Sequence, residues 1–181
     1  MRKLSSSVFL ILLCLPAFAG AAPQGLYGKS VTVSWNEARS QRDGQAGPFS
    51  AVSIPFSVVY YFSSQGNVFL RVTAKGAGGS AFGSVDSVNS GAPKGFDMAR
   101  NVTFKSNSLV SNFATGGMGR HMEVTFDGGY ASCSARVITA KQSGAKTTVT
   151  RSIVTGGNIE IESVSAGPAS CSVASGNAFA Q

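Results

Sequence analysis

"SIPFSVVYYFSSQGNVFLRVTAK", residues 53 to 75, decides the fold. Ile54, Phe56, Val58, Tyr60 and Phe62 fall on every second position, with Ser53, Pro55, Ser57 and Ser63 interleaved. Successive side chains of an extended chain point to opposite faces, so this spacing paints one face of a strand apolar and leaves the other wet. "SSQGN" (Ser63 to Asn67) has the small and flexible residues of a tight turn, and "VFLRVTAK" (Val68 to Lys75) returns as a second strand.

The same rhythm extends in both directions. Upstream, in "GLYGKSVTVSWNEARSQR" (Gly25 to Arg42), Val31, Val33 and Trp35 alternate with Thr32, Ser34 and Asn36. Downstream, strands are expected near residues 101–105, 108–114, 120–127, 130–140, 146–155, 158–165 and 170–175, separated by "TGGMG", "DGG", "QSGA", "TGGN" and "AGP". Helical periodicity is almost absent. About 8–10 short strands joined by tight turns predict one all-β domain, an antiparallel β-sandwich or an up-and-down β-barrel. One segment breaks the spacing: residues 76–95, "GAGGSAFGSVDSVNSGAPKG", carry no core stripe and are expected to form a long flexible loop.

The chain opens "MRKLSSSVFLILLCLPAFAGAA", with positive charges at Arg2 and Lys3, an apolar run from Val8 to Leu15 and small residues at Ala17 and Ala19. This is the pattern of a signal peptide at residues 1–19, a short helix removed on export, and the mature domain is expected at 20–181. Cleavage after Ala22 also meets the small-residue rule but leaves Pro23 directly after the cut. The apolar run is shorter than the roughly 20 residues of a membrane-spanning helix. Cys14 lies within that run and leaves with it. The expected location is periplasmic or secreted.

Loss of Arg2 and Lys3 reduces the 15 Lys+Arg to 13 against 8 Asp+Glu, a net charge of +5 with His neutral. The positive residues are scattered singly, without the basic and aromatic clustering of a nucleic-acid site. Such a mild bias favours an anionic envelope glycan or lipid head group, through an attraction that salt screens.

Cys133 and Cys171 remain, an even count in an oxidising compartment. They predict one disulfide, closing a loop of about 40 residues and contributing about 3–4 kcal/mol on the chain-entropy model. In "YASCSARV" the alternation puts Ala131, Cys133, Ala135 and Val137 on one face, and Cys171 shares a face with Val173. Two Cys and a single His, far apart in sequence, do not make a zinc site without recruited carboxylates, so no metal or cofactor is expected.

Candidate chemistry is sparse. In "GRHMEVTFDGG", inward Met122, Val124 and Phe126 would leave His121, Glu123 and Thr125 on the outer face, where a carboxylate two residues away can orient an imidazole for proton transfer. Such pairs also arise on any solvated sheet, and no G-x-S-x-G elbow supplies a nucleophile. The S-x-x-K at Ser143 to Lys146 falls in a hairpin turn rather than on a helix, and "KGAGGSAFG" lacks the helix and G-K-[ST] of a phosphate loop. Asn101-Val102-Thr103 is a glycosylation acceptor only in a eukaryotic secretory pathway. Trp35 reads as core, and "NEARSQR" behind it as a polar strand end carrying Glu37, Arg39 and Arg42. Arg39 and Arg42, with His121 and Glu123, are the expected contacts for a ligand or partner; no catalytic residue is assigned. A small outer-membrane β-barrel also fits export and alternation, but "GNAFAQ" ends without an aromatic residue and few Tyr or Trp are present for interfacial girdles.

"GKSVTVSWNEARSQR", "VTFDGGYASCSARV" and "SVSAGPASCSVASGNAF" together resemble a family of small secreted proteins of unknown function from soil-dwelling, nodule-associated alpha-proteobacteria. The resemblance covers most of the mature chain. It implies a periplasmic or exported bacterial protein and adds support to the pairing of Cys133 with Cys171. It implies no substrate, cofactor or catalytic residue. The expectation is a non-enzymatic β-domain that binds or organises envelope material; the alternatives are a secreted hydrolase using His121 and Glu123, and the membrane barrel.

Overall fold

A computed structural model describes residues 22–44, 46–75, 81–85, 102–115, 118–141, 146–151 and 157–178. These hold ten strands: β1 (Lys29–Asp43), β2 (Ser50–Phe62), β3 (Val68–Lys75), β4 (Ala81–Val85), β5 (Val102–Lys105), β6 (Ser108–Thr115), β7 (Met118–Phe126), β8 (Cys133–Lys141), β9 (Thr148–Arg151) and β10 (Asn158–Ser175). A single 3-10 turn, Gln24–Leu26, precedes them.

All pairings are antiparallel, in two sheets of order β4-β3-β2-β1-β10-β9 and β5-β6-β7-β8. The first four strands form consecutive hairpins, and the chain then crosses to build the second sheet as another meander. It returns so that β10 pairs with β1, Lys29 opposite Ser175. The sheets do not close on each other, which selects the sandwich over the barrel.

The apolar stripes of β1, β2 and β3 form the first sheet's side of the core. Ile54, Phe56, Val58, Tyr60 and Phe62 of β2 are all buried, as are Val31, Val33 and Trp35 of β1 and Leu70, Val72 and Ala74 of β3. They belong to one cluster with Val102, Leu109, Met122, Val124, Phe126 and Val137 of the second sheet. Each large side chain so buried stabilises the fold by about 1.5–3 kcal/mol. Burial raises the Tyr60 phenol above its ordinary range, and its hydroxyl donates to the Met122 sulfur at 3.4 Å.

The disulfide joins Cys133 of β8 to Cys171 of β10, tying the two sheets together across a Cα–Cα distance of 5.5 Å. Cys133, Ala135 and Val137 alternate inward as expected, but Ala131 does not share their face. It is exposed in the turn before β8, where the Asp127 carboxylate accepts hydrogen bonds from the Ala131 and Ser132 amides at 2.8 and 3.2 Å and from the Ser132 hydroxyl at 3.0 Å.

Two further elements differ from the sequence reading. "AGP" (Ala166 to Pro168) is no turn, because β10 runs through it. Opposite it the partner of β1 jumps from Ala169 at Trp35 to Ala166 at Glu37, and later from Ser163 at Ser40 to Ile161 at Gln41. β10 therefore carries two bulges. Pro168, without an N–H to give to the ladder, sits in the first. Within the segment expected to be a loop, Ala81–Val85 form edge strand β4 against β3; the rest of 76–95 lies outside the described residues, as do the expected signal peptide, Asn101 and Ser143.

Candidate functional site

β1 lies inside its sheet, between β2 and β10, and its alternation does not stop at Trp35. The next two inward positions are Glu37 and Arg39, which retain only 0% and 9% exposure. The strand end read as solvated is therefore folded into the sandwich. Arg120 of β7, 2% exposed, meets them from the facing sheet, with Thr139 beside it on β8.

The Glu37 carboxylate is the centre of this cluster. Its Oε1 accepts from Arg39 Nε at 2.7 Å and from Arg120 Nη2 at 3.0 Å, and lies 2.6 Å from Arg39 Nη2 in the same ion pair. Its Oε2 accepts from Arg120 Nε at 3.0 Å and from the Thr139 hydroxyl at 3.3 Å. Burial lowers the Arg120 pKa from its ordinary value, opposed by the attraction of Glu37 and reinforced by Arg39. The Phe56 ring stacks on Trp35 at 5.3 Å and carries the Arg120 guanidinium 4.3 Å from its centroid and that of Arg39 at 5.8 Å. These cation–π contacts partly replace the hydration the guanidiniums lose.

Two guanidiniums facing one carboxylate leave the cluster with one excess positive charge. Arg39 uses Nε and Nη2 on Glu37, and its Nη1 has no hydrogen-bond partner among the described residues. The next inward row runs from Gln41 of β1 through Ile161 of β10 to Thr148 of β9. Gln41 Oε1 and Thr148 Oγ1 are turned away from solvent and also lack hydrogen-bond partners among the described residues, as does Trp35 Nε1. Lys141, at the end of β8, donates from Nζ to the Glu162 carbonyl at 2.8 Å and to the Lys146 carbonyl.

The four residues expected to make contacts occupy three separate places. Arg39 points inward, whereas Arg42, three positions along the same strand, points outward. Arg42 donates from Nε to Glu160 Oε2 at 2.8 Å, with Nη2 2.6 Å from the same oxygen in an ion pair, and lies over Phe49, 4.6 Å from its centroid. The Thr147 hydroxyl, with Arg42, holds the Glu160 carboxyl below its ordinary pKa. His121 and Glu123 are exposed on the outer face of β7. His121 Nδ1 lies 2.8 Å from Asn112 Oδ1 on β6, and Glu123 is opposite Arg136 on β8. Among the described residues, no three His, Cys, Asp or Glu side chains assemble as a metal site.

Sequence reasoning missed Glu37, Arg120 and Thr139. Parity carried the signal: Glu37 and Arg39 continue the count from Trp35, and Arg120 lies two residues before Met122 on the same stripe. A charge on an apolar stripe needs a partner from another strand, and the facing sheet that supplies it is invisible in local sequence. No family model, curated protein or solved structure matches the chain.

Proposed function

We propose that the protein is an exported, non-enzymatic β-sandwich that binds an anionic glycan of the bacterial envelope. The observation that carries this reading is the excess positive charge of the Glu37, Arg39 and Arg120 cluster, held between the two sheets with one guanidinium nitrogen of Arg39 uncommitted among the described residues. Fixed, partly desolvated guanidinium groups recognise carboxylates more strongly than freely hydrated ones. A glycan is favoured over a lipid surface because the large apolar side chains exposed among the described residues are only Ile138 and Val149, too few to enter a bilayer. The hydrolase alternative is weakened by the position of His121, whose ring has an amide partner on an open face.

Export is supported by the leader-like N-terminal sequence and by the disulfide, which suits an oxidising compartment. Ala22 is buried in the core cluster, so cleavage after Ala19 keeps a residue that cleavage after Ala22 would remove. The test is a binding screen of residues 20–181 against acidic glycans, neutral glycans and anionic vesicles at low and high salt. Selective retention of acidic glycans, weakened as salt rises, is expected; binding to vesicles alone, or no preference for acidic over neutral glycans, would overturn the proposal.

A further inference from the structure

The seam between β8 and β10 is built differently from the rest of the core. β8 ends its sheet, and β9 covers only residues 158–161 of β10, so among the described residues no backbone ladder joins the two strands. The inward side chains along it are small: Ala135 from β8, and Ala166, Ala169 and Val173 from β10. All four are half-buried, as are Cys133 and Cys171, whereas Val31, Val33, Val58, Tyr60 and Phe62 have no exposure left. The disulfide thus crosses a seam that apolar packing leaves unsealed.

We propose that Cys133–Cys171 is a reversible thiol–disulfide switch, opened and reclosed in the folded protein by a dithiol oxidoreductase. Exposed disulfides are the ones that exchange, because a thiolate must reach a sulfur to attack it. The flanking Ser132, Ser134, Ser170 and Ser172 are exposed and too small to screen either cysteine. In the exchange a partner thiolate bonds to one of the two sulfurs, and the Cys133–Cys171 bond breaks with the other cysteine leaving as a thiolate. The partner's second thiolate then displaces the protein sulfur from the mixed disulfide. Two electrons and two protons pass to the protein, which ends as a pair of thiols, and the partner is oxidised to its own disulfide.

The remaining packing is placed to survive this opening. The large side chains of β1, β2 and β3 pack with Leu109, Met122, Val124 and Phe126, none of which lies on β8 or β10. At its far end β8 stays attached: Thr139 donates to Glu37 Oε2 at 3.3 Å, and Lys141 Nζ donates to the Glu162 carbonyl at 2.8 Å. Reduction therefore parts the strands from the cysteine end, independently of any ligand.

The test treats oxidised residues 20–181 with dithiothreitol at neutral pH, with and without denaturing urea, and counts free thiols by alkylation and mass spectrometry. Reduction without urea is expected to rise in proportion to dithiol concentration and to run within about a hundredfold of the rate in urea. A bond reached only through global unfolding would be slower by about a thousandfold or more. Thioredoxin, a protein-sized dithiol, is expected to reduce the bond without urea at least as fast as dithiothreitol at equal concentration. In the reduced protein, amide exchange is expected to rise in β8 and the second half of β10 while β2 and β3 keep their protection, and oxidised glutathione is expected to restore the intramolecular bond. Retardation beyond about a hundredfold, reduction by dithiothreitol but not by thioredoxin, loss of protection in every strand, or failure to reclose would overturn the switch.

Discussion

Glu37 accepts hydrogen bonds from two guanidiniums and a hydroxyl while fully withdrawn from water. Removing one partner of a buried ion pair costs more than the pair contributes, because the remaining charge stays desolvated. Glu37→Gln leaves both Arg39 and Arg120 uncompensated, and an equilibrium urea titration should show a loss of about 3–5 kcal/mol. Arg39→Gln leaves the neutral Glu37–Arg120 pair intact and should lose less; the opposite ranking would mean that Glu37 is not the hub. Asp127 poses a different question. The Ala131 amide, with help from Ser132, holds its carboxyl below the ordinary pKa. Since the folded value is depressed, its stabilising contribution is present above the unfolded pKa of about 3.9 and is lost as pH falls from there through the folded value. Stability measured against pH should therefore show wild type exceeding Asp127→Asn at pH 7 and the gap narrowing below about pH 4. A gap that persists under strong acid would assign the effect to turn geometry rather than charge.

At the scale of elements, the hairpin of β2 and β3 was legible because alternation, turn chemistry and return strand agree. Gly66 in its turn has φ +81°, and an added Cβ would come within 2.6 Å of the Tyr27 hydroxyl. Gly66→Ala thus meets an unfavourable backbone and a side-chain collision together, and should lower stability by more than about 1 kcal/mol in thermal unfolding. Elements that departed from expectation did so where one residue type has two uses. Gly and Pro mark turns, but they also fill bulges, and only the pairing of β10 with β1 reveals which role Gly167 and Pro168 play. β4 carries no alternating stripe, and its strand character comes from pairing with β3. Sandwich and barrel share the same local rhythm, so closure was not readable either. Arg39 and Arg42 looked like one patch in a line of sequence; three steps along a strand put them on opposite faces.

For the whole molecule, one interior pairing of the larger sheet is also the most distant in sequence, since β1 meets β10 from the two ends of the described chain. Non-local pairing of this kind delays the gain from contacts until long loops have closed. β10 then holds to its own sheet along β1 and to the facing sheet through Cys171 and Cys133, residues 38 apart in sequence. The disulfide consequently restricts both the unfolded chain and the seam between sheets. Replacing both cysteines by alanine should reduce stability by about 2–5 kcal/mol in calorimetry. The location of the effect is the sharper test. If the bond clamps the seam, amide exchange in the double variant should rise first in β8 and β10 while β2 and β3, whose side chains fill the core, keep their protection. Uniform acceleration across every strand would mean that the bond acts only on the unfolded chain, and the two sheets would then be held by apolar packing and the Glu37 cluster alone.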